Sequence, residues 1–274
     1  MSTVLFFRLT QKYVKTLTTF SPPPHLSASS IGTFNQCQMK FKFNKIDGIT
    51  DDPTEATLMG NFVHDVMEAL YHKEPDSRNS NLAKSIASQL WEEGWGERVE
   101  PWVQAGEKMR LFRWNAWWCI ENLWKLEDPK IIIPAGIEHE VNGLVGGVRV
   151  KGFIDRFSKN EDGTLTISDY KTGKVPKPQY SGDKFFQLQL YAHLLRGMDI
   201  GDTTNLELLY LKEGKRLSGN ITEEILQTAE QHVVNTKEQI DAACESGEFT
   251  TTTSVLCGWC SYKKICPAWS KNAK

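Results

Sequence analysis

Two aspartates and a lysine on successive strand candidates form the clearest chemical signal in the sequence. Polar and apolar residues alternate along residues 164–171, so Asp169 and Lys171 would share one face of a strand with two apolar side chains. Aspartate is depleted in strands, and a charge on an apolar face needs a partner. Asp155 closes the preceding strand candidate, from which it could reach the same ion as Asp169. A salt bridge would satisfy these charges, and a metal site is the sharper hypothesis.

The chemistry that such a metal site supports is hydrolysis of a phosphodiester bond. If a backbone carbonyl and a histidine imidazole joined the two carboxylates, the four ligands would suit Mg²⁺ or Mn²⁺ and leave positions for water and phosphate. The imidazole moves the preference toward Mn²⁺. Beside the ion, the Lys171 ammonium could orient or help deprotonate the attacking water and offset charge that develops on the phosphorane. Glu138 and Glu140 could supply a carboxylate for a second ion, but the sequence does not show which side of the strand each side chain points to.

Four of the six cysteines form a second candidate site, with one member near the start of the chain and three near its end. Thiolates grouped at such short spacing are more economically explained as metal or cluster ligands than as core residues. Four thiolates satisfy either Zn²⁺ or an iron–sulfur cluster. The predicted ligands are Cys37, Cys257, Cys260 and Cys266. Cys119 and Cys244 are predicted to be unligated thiols.

The elements that must position these residues change from helical to extended character along the chain. Ser27 or Ser29 could cap a first helix that places Cys37 on its interior face, and a second helix over residues 58–71 carries His64 at the border of its buried face. Three strands, a helix, a strand and a long helix follow. The predicted bounds are 131–139, 147–157, 164–171, 183–196, 206–212 and 222–246. A cysteine-rich tail over residues 249–270 ends the order.

Residues 82–127 are predicted to be a helical insertion, and they carry seven of the nine tryptophans. Their rings could stack on nucleic-acid bases. The spacing favours core packing instead, because it follows one helical face.

Composition limits the classes of protein that the chain could represent. With 274 residues and a net charge of −2, it has no bulk positive charge, so any nucleic acid must bind to local basic patches. The apolar runs are too short to span a membrane. The phosphate-binding pattern Gly-x4-Gly-Lys-Ser/Thr is absent, which argues against a nucleotide-driven motor in this chain. Six cysteines indicate a reducing compartment. Residues 1–25 are predicted to be a disordered tail rather than an organellar targeting segment.

The motifs together resemble a known family. Asp155, then Asp169-Tyr-Lys171, then Gln187 and Tyr191 in a Gln-x3-Tyr element are similar to the successive motifs of the PD-(D/E)xK nuclease superfamily. The upstream Gly60-Asn-Phe-Val-His64 and the one-plus-three cysteines resemble its RecB-like branch, which includes CRISPR-adaptation exonucleases and AddB-type nuclease domains.

The resemblance implies roles for these residues. His64, Asp155, Asp169 and the carbonyl of Tyr170 would hold Mg²⁺ or Mn²⁺, and Lys171 would be catalytic together with the two aspartates. The four cysteines would ligate a [4Fe-4S] cluster, with Zn²⁺ as the alternative. Gln187 and Tyr191, one helical turn apart, would position DNA or support the active site, and a half-buried core tyrosine is the alternative for Tyr191.

The resemblance also implies the fold and the activity. We expect one α/β domain over residues 26–274, with a restriction-endonuclease-like core whose central mixed sheet is flanked by helices, a helical N-terminal portion and the cysteine-rich tail. The expected activity is that of an exonuclease on single-stranded DNA ends. It would act in DNA repair, recombination or replication in a bacterial or phage-infected cytoplasm, with recombination or replication proteins as partners. A catalytically silent binding module and an iron–sulfur redox protein are the alternatives.

Overall fold

The computed structural model describes residues 19–177 and 184–269. Five strands form one mixed sheet in the order β1-β2-β3-β4-β5. Strands β3 and β4 are parallel, and the other neighbours are antiparallel. A parallel pair needs a crossover connection, which helix α8 supplies. The strands are β1 (Pro134–Val145), β2 (Val148–Lys159), β3 (Leu165–Lys171), β4 (Thr203–Tyr210) and β5 (Lys215–Asn220), and α8 is Phe186–Gly197.

Helices cover both faces of the sheet. One core packs sheet residues against α1, α8 and α9, and a second core packs them against α3, α4 and α6. The predicted α/β fold with a central mixed sheet flanked by helices is therefore confirmed. The remaining helices are α1 (Ala28–Gln36), α2 (Gln38–Phe41), α3 (Glu55–Tyr71), α4 (Ser80–Leu90), α5 (Gly96–Val99), α6 (Glu107–Glu121), α7 (Leu123–Leu126) and α9 (Glu223–Ser246).

Two elements differ from their predictions for identifiable reasons. Strand β5 has no predicted counterpart, because its residues are mostly polar and it pairs only along the sheet edge, where apolar alternation is not required. Helix α1 begins at the predicted Ser27 cap but ends at Gln36. Cys37 follows in extended backbone between α1 and α2 and is half-buried. The prediction that it lies on the core-facing side of the first helix is therefore wrong.

The tryptophans of the helical region do not all pack into a core, which corrects that prediction. Trp95 is buried, whereas Trp102, Trp114 and Trp118 are 45%, 62% and 42% exposed. Helix α6 buries a narrow stripe that includes Phe112, Ala116, Cys119 and Ile120. Since that stripe satisfies the core contact of α6, Trp114 and Trp118 are left on its outer side.

The N-terminal segment joins the domain earlier than predicted. Residues 1–18 of the predicted tail lie outside the described residues. Within residues 19–25, the Phe20 amide donates a hydrogen bond of 2.8 Å to the Cys244 carbonyl, and its ring packs edge-on against Phe249. Leu26, fully buried, bridges to Val150 of β2. Phe20 and Leu26 are therefore packed against the domain. Within the described ranges, no helix has both the length and the apolar composition that crossing a membrane requires.

A buried ion pair joins the helical region to the sheet. Arg156 of β2 is 2% exposed, and its guanidinium makes two hydrogen bonds to Glu127, which follows α7; the bond from Nη2 measures 2.8 Å. The hydroxyl of Tyr71 on α3 also donates to Glu127. Burial would raise the pKa of Glu127, but the hydrogen bonds and charge of Arg156 lower it below its ordinary value. The carboxylate is therefore held ionised beneath the sheet.

Removing one partner of this pair should cost far more than removing a surface pair. Glu127→Ala would leave Arg156 buried without its carboxylate, and we expect a loss of about 3–5 kcal/mol in the free energy of unfolding. The matched control is Glu140→Ala, which breaks an exposed pair with Lys151 and should cost about 1 kcal/mol or less. Urea denaturation of both variants measures the difference, and equal losses would contradict the role given to Arg156.

Candidate metal centre

Asp155 and Asp169 lie next to each other where strands β2 and β3 stop pairing. The last residues paired at this end are Arg156 and Ser168, so the next residue on each strand is one of the aspartates. Both carboxylates are buried, with Asp155 9% and Asp169 3% exposed. The end of the ladder thus places two acidic side chains in one poorly hydrated position.

The backbone of Tyr170 orients two of the predicted ligands. Its N–H donates a hydrogen bond of 2.8 Å to Asp155 Oδ2, and its carbonyl accepts one of 2.9 Å from His64 Nε2. Because Nε2 donates, the neutral form of His64 carries its lone pair on Nδ1, which is 3.4 Å from Asp155 Oδ2. A histidine that donates to a backbone carbonyl through one nitrogen and ligates through the other is the usual arrangement at metal sites. The Tyr170 carbonyl, for which the sequence predicts a role as metal ligand, accepts the hydrogen bond that fixes His64.

Glu138 joins His64 and Asp155 in one group of potential metal ligands. The sequence did not show on which side of its strand the Glu138 side chain lies. The register of β1 with β2 pairs Ile137 with Arg156 and His139 with Ile154, which sets Glu138 opposite Asp155. Single ligand atoms of His64, Glu138 and Asp155 all lie within 4.8 Å of one another. The backbone of Glu138 has a φ of 42°, a conformation that costs free energy for a residue with a side chain. Glu140 instead pairs with Lys151 at the surface.

Crowding of carboxylates shifts their proton affinities. Burial and the Asp169 carboxylate raise the pKa of Asp155 well above its ordinary value, although the Tyr170 N–H and Lys171 act in the opposite direction. Burial and Asp155 raise the pKa of Glu138 from 4.5 to about 7. Without a cation the site therefore retains protons that a carboxylate in water would release. A divalent cation would relieve the same repulsion.

Lys171 lies directly beside this group. Its Nζ is 2.6 Å from Asp169 Oδ2. Burial alone would lower the pKa of Lys171, but the Asp169 and Asp155 carboxylates raise it above its ordinary value. The side chain is therefore a fixed positive charge at the edge of an acidic site.

Close approach of α3 to the sheet brings His64 within reach. Gly60 lies one helical turn before His64 and so on the same face of α3. A Cβ at Gly60 would be 3.3 Å from Thr172 Oγ1, just beyond the end of β3. The predicted Gly60–His64 motif thus has a packing reason: the glycine lets the histidine reach the Tyr170 carbonyl.

Gln187 and Tyr191 lie together on α8. Gln187 Nε2 donates a hydrogen bond of 3.0 Å to the Tyr191 hydroxyl, and Tyr191 is 6% exposed. Its ring lies against β2 at Gly152, where a Cβ would approach Tyr191 Cε1 to 2.3 Å. Burial raises the pKa of Tyr191 to about 12. These contacts favour the core alternative for Tyr191, which supports the strand that carries Asp155.

The four predicted cysteine ligands line one cavity, although they are far apart in sequence. Cys37 faces it from the break between α1 and α2, and Cys257, Cys260 and Cys266 face it from the C-terminal segment. The cavity measures about 270 Å³. Cys119 and Cys244 do not line it and are buried in the two cores. The donor set is that of a thiolate-bound metal or cluster.

Comparison with known proteins gives matches over nearly the whole chain. The family model of the PD-(D/E)XK nuclease superfamily matches residues 25–267. The "Gene 69 protein" of Mycobacterium phage L5 is 23% identical over 299 residues, covering 90% of this chain and 97% of that protein. The crystal structure of a Eubacterium rectale protein named "Putative exonuclease" superposes with a TM-score of 0.58 at 13% identity, covering 98% of this chain and 95% of that one. At that identity the structural likeness shows a shared fold.

The raised pKa of Glu138 predicts how stability depends on pH in metal-free protein. Between pH 4.5 and about 7 the folded state binds a proton at Glu138 more tightly than the unfolded chain does. Stability of the wild type should therefore fall, relative to Glu138→Gln, as pH rises through this window, and the difference should be constant at higher pH. Thermal unfolding in chelator measures it. A difference that does not change with pH would contradict the burial and repulsion assigned to Glu138.

Proposed function

This chain belongs to the PD-(D/E)XK nuclease superfamily, and we propose that it hydrolyses DNA phosphodiester bonds with a divalent metal, as an exonuclease on single-stranded ends. The observation that carries the proposal is the convergence of His64, Glu138 and Asp155, whose ligand atoms lie within 4.8 Å of one another. Asp169 and Lys171 lie beside them.

The donor set fits a hard divalent cation. His64 Nδ1, Glu138 and Asp155 would hold it, with Asp169 as a further carboxylate. Oxygen ligands with one imidazole suit Mg²⁺ or Mn²⁺. When bound, such an ion lowers the pKa of a water molecule and polarises a phosphate oxygen.

Protein groups around the ion would stabilise the transition state and keep the ligands in place. The Lys171 ammonium, held 2.6 Å from Asp169, offsets negative charge as the phosphorus gains its fifth oxygen. The Tyr170 backbone keeps His64 and Asp155 oriented, so the ligands need not rearrange during the reaction. Gln187 and Tyr191 support β2 from the α8 side.

Local charge supports DNA as the substrate. Lys174 and Lys177 are exposed in the segment that follows Lys171, so positive charge extends away from the acidic centre where a phosphate backbone would run. The name of the Eubacterium rectale structure supports exonuclease action. Similarity to a mycobacteriophage protein supports work on DNA in a bacterial or phage-infected cytoplasm. Repair, recombination or replication, with the proteins of those processes as partners, is the context that we propose.

Degradation of end-labelled single-stranded DNA in Mn²⁺ tests the nuclease proposal. Asp169→Asn and Lys171→Ala should each lower the rate by at least about 100-fold, because each removes charge that stabilises the transition state. Matched controls are Asp202→Asn and Lys215→Ala, whose exposed side chains lie in other ion pairs. Circular single-stranded DNA should persist if the enzyme needs an end. Equal degradation by all five proteins would contradict the assignment.

We also propose that the four cysteines hold a [4Fe-4S] cluster. All four thiols line one cavity, and four thiolates are the ligand set that such a cluster requires; Zn²⁺ is the alternative occupant. Bound there, it would join the N-terminal helices to the C-terminal segment as a structural element.

Metal analysis and visible absorbance test the cluster proposal. Wild-type protein purified without oxygen should contain iron and sulfide and absorb broadly in the visible range. Cys260→Ser should lose both properties, because it removes one ligand of four. Cys119→Ala, which changes a cysteine outside the cavity, should keep them. Colourless wild-type protein that contains one equivalent of zinc would refute the cluster.

A further inference from the structure

Exposed tryptophan on α6 calls for an explanation that the metal centre does not supply. Trp114 is 62% exposed on an ordered helix. An exposed large aromatic ring within an apolar surface is characteristic of binding sites, because burying the ring against a ligand releases its hydration. The surroundings of Trp114 therefore indicate what it binds.

Trp114 lines a groove of about 420 Å³ between α4 and α6. Phe62 of α3 and Trp91, which follows α4, also line it and contact each other edge to face with ring centroids 5.6 Å apart. With Trp117, three tryptophan rings and a phenylalanine thus line one concave surface. Flat aromatic faces of this kind stack with any nucleic-acid base.

The groove is also positively charged, in a protein whose net charge is −2. Lys84, Arg110 and Arg113 line it, and none of the described residues that line it carries a carboxylate. Within residues 19–177 and 184–269, no ion pair to a carboxylate engages any of the three. The Arg113 guanidinium lies 4.9 Å from the centroid of Trp91. Cations and rings are therefore interleaved, as contact with phosphates and bases requires.

We propose that this groove binds single-stranded DNA, with a base stacked on Trp114 and phosphates on Lys84, Arg110 and Arg113. Stacking on a ring requires a free base face, which a duplex hides within its own stack, so an unpaired strand is the fitting ligand. The site deepens the proposed nuclease function and rests on it for its biological role.

The groove is separate from the metal centre. Phe62 and His64 are two residues apart on α3, which places them about 200° apart around the helix. The groove therefore lies on the side of α3 away from the sheet. A strand in the groove would be the part of a long substrate that is not being cut. It would raise the affinity for long strands and leave short ones unaffected.

DNA binding in chelator tests the groove without any cleavage. For an oligothymidylate of about 30 nucleotides, Trp114→Ala should weaken binding roughly 5- to 150-fold, the range for losing one stacked base. Replacing Arg110 or Arg113 with Ala should each reduce the slope of log affinity against log salt by about 0.7. The matched control is Trp118→Ala, an exposed tryptophan on the same helix that does not line the groove; it should bind as the wild type does.

Cleavage kinetics separate this proposal from the nuclease assignment. Trp114→Ala should raise KM for the long strand at unchanged kcat, and leave cleavage of a strand of about 6 nucleotides unaltered. Wild-type binding that depends on Trp114 without any cleavage would support the groove while the nuclease proposal fails. Equal affinity of Trp114→Ala and Trp118→Ala for the long strand would overturn the groove and leave the nuclease proposal standing. Preference for a duplex, lost in the arginine variants but not in Trp114→Ala, would also overturn it.

Discussion

The peptide groups of Tyr170 hold two ligands of the metal centre at once. One donates to Asp155 and the other accepts from His64, so a single residue sets the distance between a strand and a helix. Its side chain is buried, and Arg156 donates to its hydroxyl at 3.1 Å. Glu127 in turn holds Arg156 in place. The buried ion pair therefore helps to position the metal ligands through Tyr170. The helical region thus contributes to the site through Glu127, and α3 contributes through His64.

Charge is the second constraint on this end of the sheet. Glu138, Asp155 and Asp169 bring three carboxylates together against one lysine, and the two aspartates are buried from water. Their mutual repulsion raises the proton affinity of Glu138 and Asp155, and the backbone of Glu138 adopts an unfavourable φ to keep its carboxylate there. Both costs are understandable if a cation normally compensates them, since strain and shifted pKa values concentrate at functional sites.

Much of this arrangement follows from local patterns in the sequence. Alternation along residues 164–171 sets Asp169 and Lys171 on one face, and the order of helices and strands predicts the mixed sheet. Glu138 could not be placed in this way, because its facing depends on the register between β1 and β2, which one strand does not encode alone. The prediction that the tryptophans of α6 pack into the core was wrong for a related reason. A helix with apolar residues on several sides does not reveal which side meets the core.

Pulsed electron paramagnetic resonance of bound Mn²⁺ tests whether His64 belongs to the metal centre, because it detects the nitrogen of a coordinating imidazole. We expect one tightly bound Mn²⁺ whose spin echo is modulated by ¹⁴N in the wild type. That modulation should disappear in His64→Gln and persist in His193→Gln, which changes a histidine that instead hydrogen-bonds the Leu226 carbonyl. Mn²⁺ bound by the wild type without nitrogen modulation would contradict a metal centre built on His64, Glu138 and Asp155.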